Sequence, residues 1–175
     1  MPSYSTITND KRAVYINKTP SSSATYKRLG EGINTFTPSN NGQISTKHYI
    51  NDKFATSRRN GLQKQFAFSG DRVIGDDAND YLMGLSEKTG SEVETDIVIA
   101  DLLSGTAGGT GDGAYYYYPA KKYDVMIDVS NDGTIEGGQD VSIDGTFYVN
   151  GDPTGGYLKI ITKTGVVSFS TTVPA

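Results

Sequence analysis

Leu62-Gln63-Lys64-Gln65-Phe66-Ala67-Phe68-Ser69 sends Leu62, Lys64, Phe66 and Phe68 to one side and Gln63, Gln65, Ala67 and Ser69 to the other. A period of two belongs to a β-strand, because successive Cβ atoms point to opposite faces of a sheet. The same reasoning predicts strands on either side of this stretch. Upstream lie the short run Ala13-Val14-Tyr15-Ile16 and the alternating segment Gln43–Ile50, with Ile44, Thr46, His48 and Ile50 on one face. Downstream lie Val93–Leu103, Tyr115–Val129, Asp140–Val149, Tyr157–Thr162 and Val166–Thr172, with Pro119 marking an edge or a bulge.

Turn chemistry separates these segments. Asn41-Gly42 closes a turn predicted over Pro38–Gly42, and Asn131-Asp132-Gly133 and Thr164-Gly165 read as hairpin turns. Asn51–Gly61 is charged and polar and reads as an exposed loop, and Ser104–Gly113 as a flexible glycine-rich loop. One helix is predicted, over about residues 76–88. Asp76 and Asp77 suit its N-terminus, Ala78, Tyr81, Leu82 and Leu85 recur at spacings of three and four, and Thr89-Gly90 ends it.

Composition agrees with strands. The chain has 175 residues, one domain's worth, with 35% hydrophobic residues, 21 glycines, 12 tyrosines and no tryptophan. The fold class expected is all-β: a β-sandwich or barrel with one short flanking helix. A polar N-terminal arm over residues 1–25, partly ordered in a free monomer, precedes a β domain over residues 26–175. With no cysteine there is no disulfide framework and no thiolate metal site. The first residues lack a basic region followed by an apolar run, and no stretch reaches the roughly 20 apolar residues that span a bilayer. These features predict a soluble product of the cytoplasm that touches no membrane.

Charge is placed unevenly. Residues 1–64 hold 10 Lys and Arg against 3 Asp and Glu, a net +7, whereas residues 65–175 hold 6 against 17, a net −11. Such a split suits a basic surface on one copy meeting an acidic surface on the next, and it disfavours a protein that grips nucleic acid.

Sites for chemistry are not found. The single histidine, His48, lies in an alternating segment, and no serine occupies a Gly-x-Ser-x-Gly elbow. Gly105–Gly113 lacks the Lys-Ser/Thr pair that completes a phosphate cradle. Asp128–Gly133 begins like a calcium loop, but Gln139 stands where a bidentate Glu is required and Asp140 comes one place late. No catalytic residue, metal or cofactor is therefore expected, and the chain is read as a non-enzyme.

A resemblance runs through the chain. Tyr26-x-x-Leu29-Gly30-Glu31-Gly32, Lys47-x-Tyr49-Ile50 and Ala55-Thr56 come first. They are followed by Gly70-Asp71-x-Val73 before Asp76-Asp77 with Tyr81 and Leu82, then Glu94–Ile99, Tyr118-Pro119-Ala120-Lys121-Lys122-Tyr123 and Gly151-Asp152-Pro153. In this order they resemble the major tail tube proteins of long-tailed, siphovirus-type phages of Gram-positive bacteria, over about residues 26–156. Arg72 stands where that family is more apolar. The resemblance implies a structural virion protein, assembled in the host cytoplasm into hexameric rings that stack as a tail tube. It implies as partners other copies of itself, a tape-measure protein, and tail terminator and distal tail proteins, with double-stranded DNA passing through the lumen unbound. Lumen-lining candidates are Glu94, Asp96, Asp124, Asp128, Asp140 and Asp144, which fall on strand faces opposite apolar residues such as Val125, Ile127 and Val129. Candidates for contact between rings are Arg58, Arg59, Gly108 and Gly109. The rival reading is a carbohydrate- or surface-binding β-sandwich module that uses Tyr115-Tyr116-Tyr117-Tyr118 as its platform.

Overall fold

Strand pairing dominates the architecture. The computed structural model describes residues 11–173 and places in them β1 (Arg12–Asn17), β2 (Tyr26–Leu29), β3 (Ile33–Lys47), β4 (Thr56–Asp71), α1 (Asp77–Met83), β5 (Glu94–Asp101), β6 (Thr106–Gly108), β7 (Tyr115–Thr134), β8 (Ser142–Val149), β9 (Thr154–Ile161) and β10 (Val167–Ser170). All ten strands belong to one hydrogen-bonded sheet of order β2-β1-β5-β7-β8-β4-β3, with β6 and β9 added to β7 and β10 to β9. Every pairing is antiparallel. The all-β class with a single α-helix is as the sequence predicts, but the layering is made by one sheet packed on both faces.

The 20-residue strand β7 explains how. One of its edges holds β5 and β6, and the other holds β8 along Val125–Thr134 and β9 along Tyr115–Lys122. Alternation along the paired strands puts Ile16, Ile97, Ile99, Val125, Ile127, Phe147, Phe66 and Phe68 in one cluster, covered by Ala78, Leu82 and Leu85. Phe36 stacks on Phe66 with ring centroids 5.1 Å apart, and Phe68 lies 5.1 Å from Phe147. The residues in between, Ala13, Tyr15, Val98, Ala100 and Ala120, form a second cluster with Leu158, joined by Ile160, Val167 and Phe169. There β10 returns to lie near β2, so this end of the sheet curls on itself.

Several predicted boundaries move. Asp76 caps α1, its Oδ1 accepting from Asn79 N at 2.8 Å, but the helix stops at Gly84 rather than near residue 88. Glycine is a poor helix former, and the chain continues in tighter turns in which Leu85 N donates to Leu82 O and Ser86 N to Met83 O. Pro38–Gly42 is not a turn but lies inside β3, and the loop expected over Asn51–Gly61 shrinks to residues 48–55 because β4 begins at Thr56. Asn131-Asp132-Gly133 is likewise no hairpin turn. It is an irregular stretch of β7, and Asn131 Oδ1 accepts from Gly133 N and Thr134 Oγ1. Thr164-Gly165 does turn β9 into β10, Gly165 taking φ +66. Of the N-terminal arm, residues 1–10 lie outside the described residues. The remainder contains β1, which pairs on both edges with β2 and β5, so a boundary at residue 25 cuts through the sheet.

Candidate functional site

Strands whose one face is committed to the α1-covered core leave the other face to something else. Here that second face is polar over β3, β4, β8, β7 and the start of β5. Gln65, Ala67 and Ser69 stand beside Tyr148, Thr146 and Asp144, and beyond these, on β7, lie Asp124, Met126 and Asp128, next to Glu94 and Asp96. Thr35 Oγ1 and Ser69 Oγ share a hydrogen bond of 2.7 Å on the same face. Five carboxylates and Lys122 carry its charge from β5 through β8, and the Lys122 ammonium sits 3.4 Å from Asp124. This is an acidic, mainly polar surface.

The predicted lining residues are thereby sorted. Glu94, Asp124 and Asp128 are exposed, and Asp144 is half-buried, its Oδ1 accepting from Ser130 Oγ at 2.8 Å. Asp96 faces Asp124 directly across the β5–β7 pair, where like charges repel. That repulsion is offset on one side by Asn17 Nδ2, which donates to Asp96 at 2.9 Å, and by Tyr26 Oη, which donates at 2.6 Å. Burial, together with this bond to Asp96, pushes the Tyr26 phenol well above its ordinary range. Asp96 thus ties β1, β2 and β5 together, a role that sequence spacing alone does not reveal, since Tyr26 is 70 positions away. Asp140 precedes β8 and lies in the exposed loop after β7, outside the strand on which it was placed.

A second surface is the outer part of the β3–β4 hairpin. β8 stops pairing with β4 at Gln65, yet β3 and β4 go on pairing from Asn40–Lys64 to Lys47–Thr56. At about 3.3 Å per residue this ribbon runs roughly 25 Å beyond the sheet. Its base is fixed where Gln63 Nε2 donates to Val149 O at 3.1 Å. Beyond that it covers nothing: Ile44, Tyr49, Phe54 and Leu62 are exposed and Ile50 is 103% exposed. Arg58 and Arg59 both lie here with Lys47, Lys53 and Lys64, against one carboxylate, Asp52. The Arg59 guanidinium lies over Gly42, where an added Cβ would stand 2.6 Å from Nε, so the glycine seats the arginine. His48 sits in the tip, one place past the end of β3.

Gly108 and Gly109 have an internal task. The Tyr115 ring lies so close over Gly108 that an added Cβ would stand 2.5 Å from it, and the Tyr118 ring covers Gly105 in the same way. Gly109 takes φ +68. Gly105, Gly108 and Gly109 of the glycine-rich loop thus lie against tyrosine rings, while the rest of the loop, Gly111 and Gly113 included, is exposed. The tyrosine run divides: Tyr115 is buried, Tyr117 and Tyr118 are half-buried, and Tyr116 is exposed.

A polar clamp on α1 went unforeseen. Arg72 donates to Asn79 Oδ1 at 2.7 Å and to Asp80 at 2.6 Å, while Lys27 pairs with Asp77 at 2.7 Å and Lys18 pairs with the same carboxylate. Hydrogen bonds from Lys18 and then Lys27 hold the Asp77 carboxyl down at about 2.

Sequence comparison finds no matching family model and no matching curated protein. Structural comparison does find neighbours. The chain is similar to one from the virion of a native gene transfer agent particle, with a TM-score of 0.57 and 7% identity, over 86% of this chain and 98% of that chain. It is also similar to one from the tail of an empty gene transfer agent particle with C6 symmetry, with a TM-score of 0.53 and 8% identity, over 85% of this chain and 97% of that chain. At such identities the likeness establishes a shared fold.

Proposed function

We propose that this chain is a structural, non-enzymatic subunit of a phage or phage-like tail, forming hexameric rings that stack into a hollow tube. The observation that carries the proposal is the acidic, mainly polar face of a sheet whose other face is core. DNA carries one charge per ~1.7 Å of duplex, and any wall that neutralised phosphates would bind it by releasing counterions. A wall of carboxylates and hydroxyls repels the duplex weakly and evenly and lets it slide. In this reading Glu94, Asp124, Asp128 and Asp144 face the lumen, Asp96 braces the wall behind them, and the β3–β4 hairpin reaches a neighbouring ring. The fold shared with a chain of a C6 tail supports sixfold rings. The tube would enclose a tape-measure protein during assembly, meet terminator and distal tail proteins at its ends, and reside in the virion.

Electron microscopy of the purified protein at high concentration, alongside sedimentation, tests this directly. Hollow tubes with a regular axial repeat are expected. Discrete monomers that bind cell-wall glycan would replace the proposal with the surface-binding module. In assembled particles, Asp124→Lys with Asp128→Lys is expected to leave tubes intact and slow DNA ejection. Unchanged ejection kinetics would remove both residues from the lining.

A further inference from the structure

The β3–β4 ribbon leaves the sheet at the Gln65–Tyr148 end of the β4–β8 pair, and the opposite end of that pair, at Asp71–Ser142, has a contrasting surface. The connection from β7 to β8 turns there and exposes Ile135 at 82%. Arg72 N donates to Val141 O at 2.8 Å, which brings Ile74, 86% exposed, to the same end. Asp132, Glu136 and Asp140 flank Ile135 along the chain, and no Lys or Arg occurs between residues 123 and 158. Arg72, the cation nearest Ile74 in sequence, is turned inward onto Asn79 and Asp80, and Lys27, which with Arg28 lines a cleft beside Gly75 and Asp76, is paired with Asp77.

The two ends are complementary in both respects that matter for docking. One presents exposed apolar side chains among lysines and arginines, and the other presents exposed isoleucines among carboxylates. We propose that the hairpin tip of one copy docks on the Ile74, Asp132–Asp140 end of a second copy, with Ile50 and Phe54 against Ile74 and Ile135 and Arg58 and Arg59 toward Glu136 and Asp140. Because the two surfaces sit at opposite ends of one strand pair, each docked copy presents a fresh hairpin, and the contact propagates head to tail instead of closing as a two-fold dimer. This deepens the tube reading by assigning the surface that receives the hairpin and giving the stack a polarity. It also moves Asp140 from the wall to the junction.

Charge exchange tests it. One variant carries Arg58→Glu with Arg59→Glu, and another carries Glu136→Lys with Asp140→Lys. All four residues lie on exposed segments, so circular dichroism melts should match wild type. In low-salt sedimentation each variant alone should associate about tenfold more weakly or worse. An equimolar mixture should recover wild-type association, since each reversed end then meets its complement. Ile50→Cys mixed with Ile135→Cys, in a chain without other cysteines, should give a disulfide-linked pair on oxidation. A mixture no stronger than its parts, a wild-type chain that does not associate, or a mixed cysteine pair that does not cross-link overturns the docking. Restored association without hollow tubes upholds the docking and sinks the tube. Tubes formed by each variant alone do the reverse.

Discussion

From Gln65 to Asp71, β4 is hydrogen-bonded to β3 on one edge and β8 on the other and sends Phe66 and Phe68 into the core. From Thr56 to Lys64 the same strand has β3 alone, and Leu62 remains 54% exposed. The inner half is held by burial. The outer half is a two-stranded ribbon, marginal in water by itself, and beyond Gln63 and Lys64 at its base its exposed apolar groups bury nothing in the monomer. In the proposed tube this segment meets a neighbouring copy.

Substitutions sharpen this contrast. Phe66→Ala, at 2% exposure, should cost about 3–5 kcal/mol in urea unfolding. A loss below ~1 kcal/mol would deny the inner half its role. Gly145→Ala should cost about 1–3 kcal/mol, because the added methyl meets the Asp128 carbonyl and the Phe68 ring 2.7 Å away. Arg72→Met should cost about 1 kcal/mol, leaving the buried Asn79 amide short of a partner, and a neutral result would make the clamp on α1 incidental. Asp77 acts through pH. Its folded-state pKa of about 2 lies below the ordinary carboxylate value near 4, so its contribution is complete above about pH 4 and disappears as pH falls toward 2. Asp77→Asn should therefore flatten the acid limb of a melting-temperature profile, and an unchanged limb would remove the residue from it. Smallest of all, Ile50→Ser with Phe54→Ser should shift monomer stability by less than ~0.5 kcal/mol while weakening self-association. A clear fall in monomer stability would erase the distinction between the two halves of β4.

These halves also mark what the sequence makes legible. Phe66 and Phe68 alternate with Ala67 and Ser69 because one face is core, so the inner half can be read directly. Residues 56–61 are wet on both faces, so no periodicity betrays a strand, and they read as loop. Asn41-Gly42 looks like a turn, but Gly42 is there to make room for Arg59 across the ribbon, a partner visible only once the register is known. The acidic face was legible in outline, since carboxylates at alternate positions of β5, β7 and β8 must share a side. The division of labour among them was not, because Asp96 is set apart by Asn17 and Tyr26, which pairing through β1 brings near. Asp140 was placed on a strand that begins only at Ser142.

β7 has one more consequence. It is paired on at least one edge along nearly all of its 20 residues, to β5 and β6 on one side and β8 and β9 on the other. Tension applied along such a strand loads its ladder bonds in parallel, so many must shear together before it slips. The short hairpin β9–β10, pulled from its end, would instead peel one bond at a time. The subunit thus has a stiff spine along β7, with a weaker mechanical joint where β10 pairs with β9 alone.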